Sequence, residues 1–131
     1  MFMECQALKG IDVSSFATGN VTDMSYMFQD CIGFESLNLG SFDTTNVTDM
    51  SYMFYDCQAL ETIDLSTFDT SGVTTMENML GYNGLKTILT PKKTGDVICN
   101  VPGTFFDDDS VSHQTLVANA EKSYRFQRVS D

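Results

Sequence analysis

Residues 46–65 read NVTDMSYMFYDCQALETIDL, and the interpretation of this stretch decides the fold. Its segment Met53-Phe54-Tyr55-Asp56-Cys57 is preceded by Met27-Phe28-Gln29-Asp30-Cys31 and by Met1-Phe2-Met3-Glu4-Cys5, each time at an offset of 26 residues. Self-similarity at a fixed period of this size marks a repeat architecture. The copies run over residues 1–26, 27–52 and 53–78, and a fourth begins at Met79 and decays. A residue that recurs with this period is therefore read first as a stacking column and only then as a site.

Within one copy, Met50, Met53, Phe54, Cys57 and Leu60 recur at spacings of three and four, which predicts an amphipathic helix. Thr48 is placed to cap it, and Thr74 with Glu77 forms a capping-box pattern in the next copy. Asp23 and Asp49 fall in the expected first turn, where the helix dipole favours negative charge. Ile63-Asp64-Leu65 alternates as a short strand does, and Ile11-Asp12-Val13 and Leu37-Asn38-Leu39 repeat it. Ser66-Thr67-Phe68-Asp69-Thr70-Ser71 reads as a loop whose side chains bond their own backbone, anchored by the column Phe16, Phe42, Phe68.

One such unit cannot bury its own apolar face, whereas stacked units with parallel strands about 4.8 Å apart can. The expected core columns include Met27/Met53/Met79, Phe28/Phe54/Leu80, Phe34/Leu60/Leu85, Leu37/Ile63/Ile88, Leu39/Leu65, Val47/Val73 and Met24/Met50/Met76. Cys5, Cys31 and Cys57 form a further column, expected as small buried thiols rather than as ligands, since the chain has no C-x-x-C pair.

The pattern MFxxCxxLxxIDLSxFDTSxVTxM, met by Met53, Phe54, Cys57, Leu60, Ile63, Asp64, Leu65, Ser66, Phe68, Asp69, Thr70, Ser71, Val73, Thr74 and Met76, resembles the BspA-like leucine-rich repeats of bacterial surface proteins. The resemblance covers about residues 1–90, with departures at Ala17 and Gly40 in the earlier copies. With the periodicity, it leads to an expected α/β fold: a leucine-rich-repeat-type solenoid of about three and a half rungs, one short helix and one short parallel strand in each. It also implies surface display and adhesion to proteins of a host or a neighbouring cell.

From Thr90 the period is lost, and residues 91–131 read as a small β extension capping the last rung. Asp96 to Val101, Thr104 to Phe106 and Lys122 to Val129 are the expected strands, with Pro102-Gly103 as a turn and Tyr124, Phe126 and Val129 facing inward. The other end starts in the middle of the repeat unit. That register points to a piece of a longer protein, with a short protein whose uncapped N-terminal end pairs with another chain, or a mis-called start, as the alternatives.

A net charge of −11 argues against nucleic-acid binding, which needs a basic footprint. There is no apolar run long enough to span a membrane and no visible signal peptide. The expected location is the cell surface or the exterior, as part of a longer chain. Chemistry-bearing patterns are weak. His113 is the one histidine, beside Ser110 and Asp107, and nothing around it resembles a nucleophile elbow. Asp107-Asp108-Asp109-Ser110 lacks the alternation of an EF-hand loop and reads as a solvated acidic turn. Asn20-Val21-Thr22 and Asn46-Val47-Thr48 match a glycosylation sequon incidentally. No catalytic residue, cofactor site or metal site is expected. Asp43 and Asp69 are expected to accept hydrogen bonds from their own loops. The outward strand rows Lys9, Glu35, Glu61 and Asp12, Asn38, Asp64 are the candidate partner-binding surface. The function expected is a non-enzymatic protein-binding or adhesion module, with a structural spacer that displays another domain as the alternative.

Overall fold

The structure is a computed structural model and describes residues 9–128. Its regular elements are all strands: β1 (Thr62–Asp64), β2 (Asp69–Thr70), β3 (Thr87–Leu89), β4 (Lys93–Thr94), β5 (Asn100–Phe106), β6 (Ser112–Thr115) and β7 (Arg125–Arg128). One mixed sheet has the order β1-β3-β7-β5-β6, and a second sheet pairs β2 with β4 in parallel. No helix occurs among the described residues. The expected α/β leucine-rich-repeat-type solenoid is therefore corrected: this is a small all-β domain.

The expected helix is replaced by a ribbon of consecutive turns over residues 24–30, repeated at 50–56 and 76–82. Two observations show why no helix forms. Tyr26, Asp30, Tyr52, Asp56, Asn78 and Tyr82 take φ values of 60°, 59°, 57°, 59°, 51° and 50°. A right-handed helix cannot pass through such residues, and each costs about 1–2 kcal/mol. Alternate N–H groups also point out of their own copy. Met24, Tyr26, Phe28 and Asp30 donate to the carbonyls of Asp49, Ser51, Met53 and Tyr55 at 2.9–3.0 Å. Met50, Tyr52, Phe54 and Asp56 donate in the same way to Thr75, Glu77, Met79 and Gly81. In all eight bonds the earlier copy donates and the later copy accepts. The N–H groups in between close turns onto the third residue back, as Met53 does to Met50 and Tyr55 to Tyr52. Helices shorter than about 12 residues are marginal in water. A neighbouring copy that satisfies half the donors outcompetes one.

The ribbon still buries the residues that the helical spacing selected. Met24, Met50, Met76, Phe28, Phe54, Leu80, Cys31, Cys57, Phe34, Leu60 and Leu85 are all buried, and Ile63 and Ile88 join them from β1 and β3. Thr48, expected as a helix cap, instead donates its N–H and its hydroxyl to the Thr22 carbonyl; Thr74 does the same to Thr48.

A buried threonine column ties the loops together. Thr18 Oγ1 donates to the Asp43 carbonyl at 3.0 Å and accepts the Asp43 N–H at 2.8 Å. Thr44 repeats this with Asp69 at 3.0 and 2.9 Å. Thr70 donates to the Lys93 carbonyl at 3.4 Å. Thr94 donates to the Val117 carbonyl and accepts the Ala120 N–H, both at 2.8 Å. The threonine column thus extends to Thr94, beyond Thr90, where the sequence period is lost.

The tail joins the sheet at the last copy. β7 pairs antiparallel with β3, placing Phe126 opposite Ile88, and carries β5 and β6 with it into the large sheet. β5 is one strand rather than two, with an irregularity between Asn100 and Phe105 where Gly103 takes φ 120°. A side-chain-bearing residue is strained at that φ whatever space surrounds it, so the bulge favours glycine. β6 was not anticipated; its residues alternate too weakly in hydropathy. Phe126 is fully buried and Tyr124 half-buried, while Val129 lies outside the described residues.

Candidate functional site

Of the three expected strand segments only the one with Ile63 and Asp64 lies in a strand, β1; residues 11–13 and 37–39 form none, and the outward rows there lie on irregular backbone. Lys9, Asp12, Glu35, Asn38, Glu61 and Asp64 are all exposed. Glu35, Leu37, Ala59, Glu61, Thr62 and Asp64 line one shallow, mixed polar and apolar depression. The six candidates nevertheless do different work.

Asp12, Asn38 and Asp64 close turns. Asp12 Oδ1 accepts the Ser14 N–H at 2.9 Å and its hydroxyl at 2.6 Å. Asp64 Oδ1 does the same for Ser66 at 2.9 and 2.5 Å, and Asn38 Oδ1 accepts the Gly40 N–H at 3.0 Å. The motif Asp-x-Ser/Thr recurs with the same geometry at Asp23-Ser25, Asp43-Thr45, Asp49-Ser51 and Asp69-Ser71. These are Asx turns. The expected loop bonds to Asp43 and Asp69 are present. The serine and threonine hydroxyls, followed by the backbone N–H of the same residues, hold Asp12, Asp23 and Asp43 below the ordinary carboxylate range.

The other row is electrostatic. Lys9 Nζ lies 3.5 Å from Glu35 Oε1, and Lys86 Nζ lies 2.8 Å from Glu61 Oε1. Read across the copies the row is cation, carboxylate, carboxylate, cation. Both pairs are well exposed, so each contributes about 0–1 kcal/mol. Little holds Glu35 and Glu61 to their lysines, and both carboxylates face the depression.

The remaining candidates resolve into structural roles. His113 Nε2 lies 2.8 Å from Asp107 Oδ2, and its ring stacks on Phe126 with centroids 4.4 Å apart. Asp107 Oδ1 accepts the N–H groups of Asp109 and Val111. The His113 bond first, then the Val111 N–H, holds its carboxyl low. The acidic turn is the clasp of the β5–β6 hairpin. Cys31, Cys57 and Cys99 are buried, and burial pushes the thiols of Cys57 and Cys99 up to about 12. Cys5 lies outside the described residues. Among those residues, no group of three or more His, Cys, Asp or Glu side chains gathers to hold a metal ion. No helix among them is long and apolar enough to cross a membrane. A separate cavity of about 210 Å³ opens among core side chains, including Phe16, Val21, Met24 and Met27.

Sequence reasoning passed over one surface feature. Tyr26, Tyr52, Tyr55 and Tyr82 form a continuous aromatic row on the turn ribbon. The available signal was that Tyr26 and Tyr52 share a column lying off the apolar stripe.

Fold and site define a small all-β repeat protein with an acidic depression on its strand face. The family model described as "Mycoplasma protein of unknown function, DUF285" matches residues 1–88, and the chain belongs to that family. Nothing among the curated proteins or the solved structures matches the chain at a significant level.

Proposed function

We propose that this chain is a non-enzymatic protein-binding module of a cell-surface or secreted protein, and that it engages its partner through the strand-face depression. The observation that carries this reading is the pair Glu35 and Glu61. Two adjacent carboxylates line a concave surface, held only by exposed lysine pairs on their outer sides. A partner lysine or arginine entering the depression displaces those weak pairs and gains two carboxylates at once. Leu37 and Ala59 supply apolar contact beside them. The resemblance of the repeat text to bacterial adhesin repeats supports the same reading.

The test coats beads with the chain and counts their attachment to cultured host cells and to bacterial cells. The expected result is attachment that Glu35→Lys/Glu61→Lys abolishes while the circular dichroism spectrum stays unchanged. A spacer, the competing role, gives beads that attach no better than albumin-coated ones. Attachment that survives the double substitution moves the binding surface elsewhere.

A further inference from the structure

Four of the five tyrosines in the chain come together on the turn ribbon, outside the core. Tyr26 and Tyr52 stack with centroids 5.1 Å apart and planes within 2° of parallel. Tyr52 meets Tyr55 at 5.2 Å and 56°, and Tyr55 meets Tyr82 at 5.4 Å and 68°. Tyr26 is 43% exposed and Tyr82 76%. The backbone presets the row: Tyr26, Tyr52 and Tyr82 all take positive φ, a conformation that bulky residues rarely adopt. The Asn78 amide fixes the Tyr52 hydroxyl at 3.1 Å.

The charge beside the rings is negative. Asp30 and Asp56 alternate with the tyrosines along the same ribbon, both half-buried and both at φ 59°; Asp56 Oδ1 accepts the Gln58 amide at 2.6 Å, and its second oxygen is the one offered to a partner. Burial, then Tyr82, Asp56, Tyr52 and Asp30, raises the Tyr55 hydroxyl above its ordinary value. Ring faces carry negative quadrupole potential as well, and the two together select a cation. This chain already seats cations on rings elsewhere: Lys122 Nζ lies 5.1 Å from the Tyr124 centroid and Arg128 Cζ 5.5 Å from that of Phe105. Lys9 and Lys86 are engaged with Glu35 and Glu61. A net charge of −11 draws basic partners to the whole molecule.

We infer that the row Tyr26, Tyr52, Tyr55 and Tyr82, with the Asp30 and Asp56 carboxylates beside it, is a docking surface for an arginine-bearing segment of a protein partner. A planar guanidinium lies flat on a tyrosine face and pairs with a carboxylate at its edge, which an ammonium does less well. The surface shares no residue with the strand-face depression, so one chain presents two separate contacts.

The test titrates the full chain with a short synthetic peptide of alternating arginine and glycine, followed by calorimetry and by tyrosine fluorescence. The chain has no tryptophan, so the emission reports mostly this row. Tyr82→Gly removes the most exposed ring at a backbone position that suits glycine, and Tyr26→Leu removes the other exposed ring. Neither changes the net charge. Each is expected to weaken binding about two- to five-fold. Asp56→Asn is expected to weaken it as well with the rings intact, and the matching lysine peptide binds less tightly than the arginine one. Tyr82→Gly carries the test alone if Tyr26→Leu does not fold. Equal affinity of wild type and Tyr82→Gly would reduce the interaction to net charge and overturn the inference. Quenching by maltoheptaose but not by the arginine peptide would overturn it in favour of a carbohydrate platform.

Discussion

Replacing Thr44 by valine tests what holds one copy against the next. Valine matches threonine in shape and exchanges only the hydroxyl for a methyl group. Thr44 is 1% exposed, and its Oγ1 both donates to the Asp69 carbonyl at 3.0 Å and accepts the Asp69 N–H at 2.9 Å. The substitution removes two hydrogen bonds and strands two backbone groups. Stranding a buried group costs about 1–3 kcal/mol. Asp69 is half-exposed and water relieves part of that, so the expected loss is about 2–4 kcal/mol. Thr44→Ser keeps the hydroxyl and loses one methyl, for about 1 kcal/mol. At roughly 3–5 °C per kcal/mol for a chain of this size, the melting temperature falls by about 6–20 °C for valine and about 3–5 °C for serine. Thermal unfolding followed by circular dichroism measures both. Thr70→Val is an internal control, because its bond to Lys93 is 3.4 Å long, and it is expected to cost less than Thr44→Val. If serine destabilises more than valine, volume rather than the hydroxyl holds the copies together and the reasoning fails.

Other perturbations have equally defined outcomes. Gly84→Ala would place a Cβ 2.5 Å from the Gln58 carbonyl oxygen, a backbone atom that cannot swing aside, so a loss of about 1–3 kcal/mol is expected in urea denaturation. The carboxyls of Asp12, Asp23, Asp43 and Asp107 are depressed in the folded chain. Their contribution to stability is fully present above the ordinary carboxylate value near 3.8 and is lost as pH falls through the depressed values. A urea midpoint that is level from pH 7 to about 5 and falls steeply below about 4 is the expected profile. Cys57 and Cys99, buried and with thiols pushed up to about 12, are expected to resist iodoacetamide at pH 8 until urea unfolds the chain; mass mapping of native samples would detect any early alkylation.

Met50, Met53, Phe54, Cys57 and Leu60 show why burial was legible in the sequence while secondary structure was not. Their spacing places them on one face of a helix, and a ribbon of turns leaning on a neighbouring copy buries the same residues. Hydropathy records which side chains leave water and says nothing about where the backbone N–H groups go. Those are settled by the next copy, a long-range partner that no local window contains. A local signal was nevertheless present. Asp49-x-Ser51 and Asp23-x-Ser25 share the Asp-x-Ser text and Asx-turn form of Asp64-x-Ser66, which precedes a loop, so that text alone does not mark a helix start. The same oversight touched the candidate site. The strand pattern points Asp12 and Asp64 outward, yet their carboxylates are spent on Ser14 and Ser66. Lysine at those positions would break turns before it tested binding, which is why Glu35 and Glu61 carry the experiment. The row of Tyr26 and Tyr52 was visible as a column but lay off the apolar stripe, and its continuation through Tyr55 and Tyr82 changes column, so no periodic pattern connects the four.

The ribbon's hydrogen bonds have a further consequence. Since the earlier copy donates and the later one accepts in all eight, the peptide dipoles of these turns point the same way and add, as they do in a helix. The ribbon is therefore electrically polar along its length, with carbonyl oxygens toward its lower-numbered side and N–H groups toward its higher-numbered side. An edge of donors meets an edge of acceptors and cannot meet its own kind. Two chains joined through these edges would meet head to tail, and contacts of that sort repeat into filaments or rings rather than closing as a two-fold dimer.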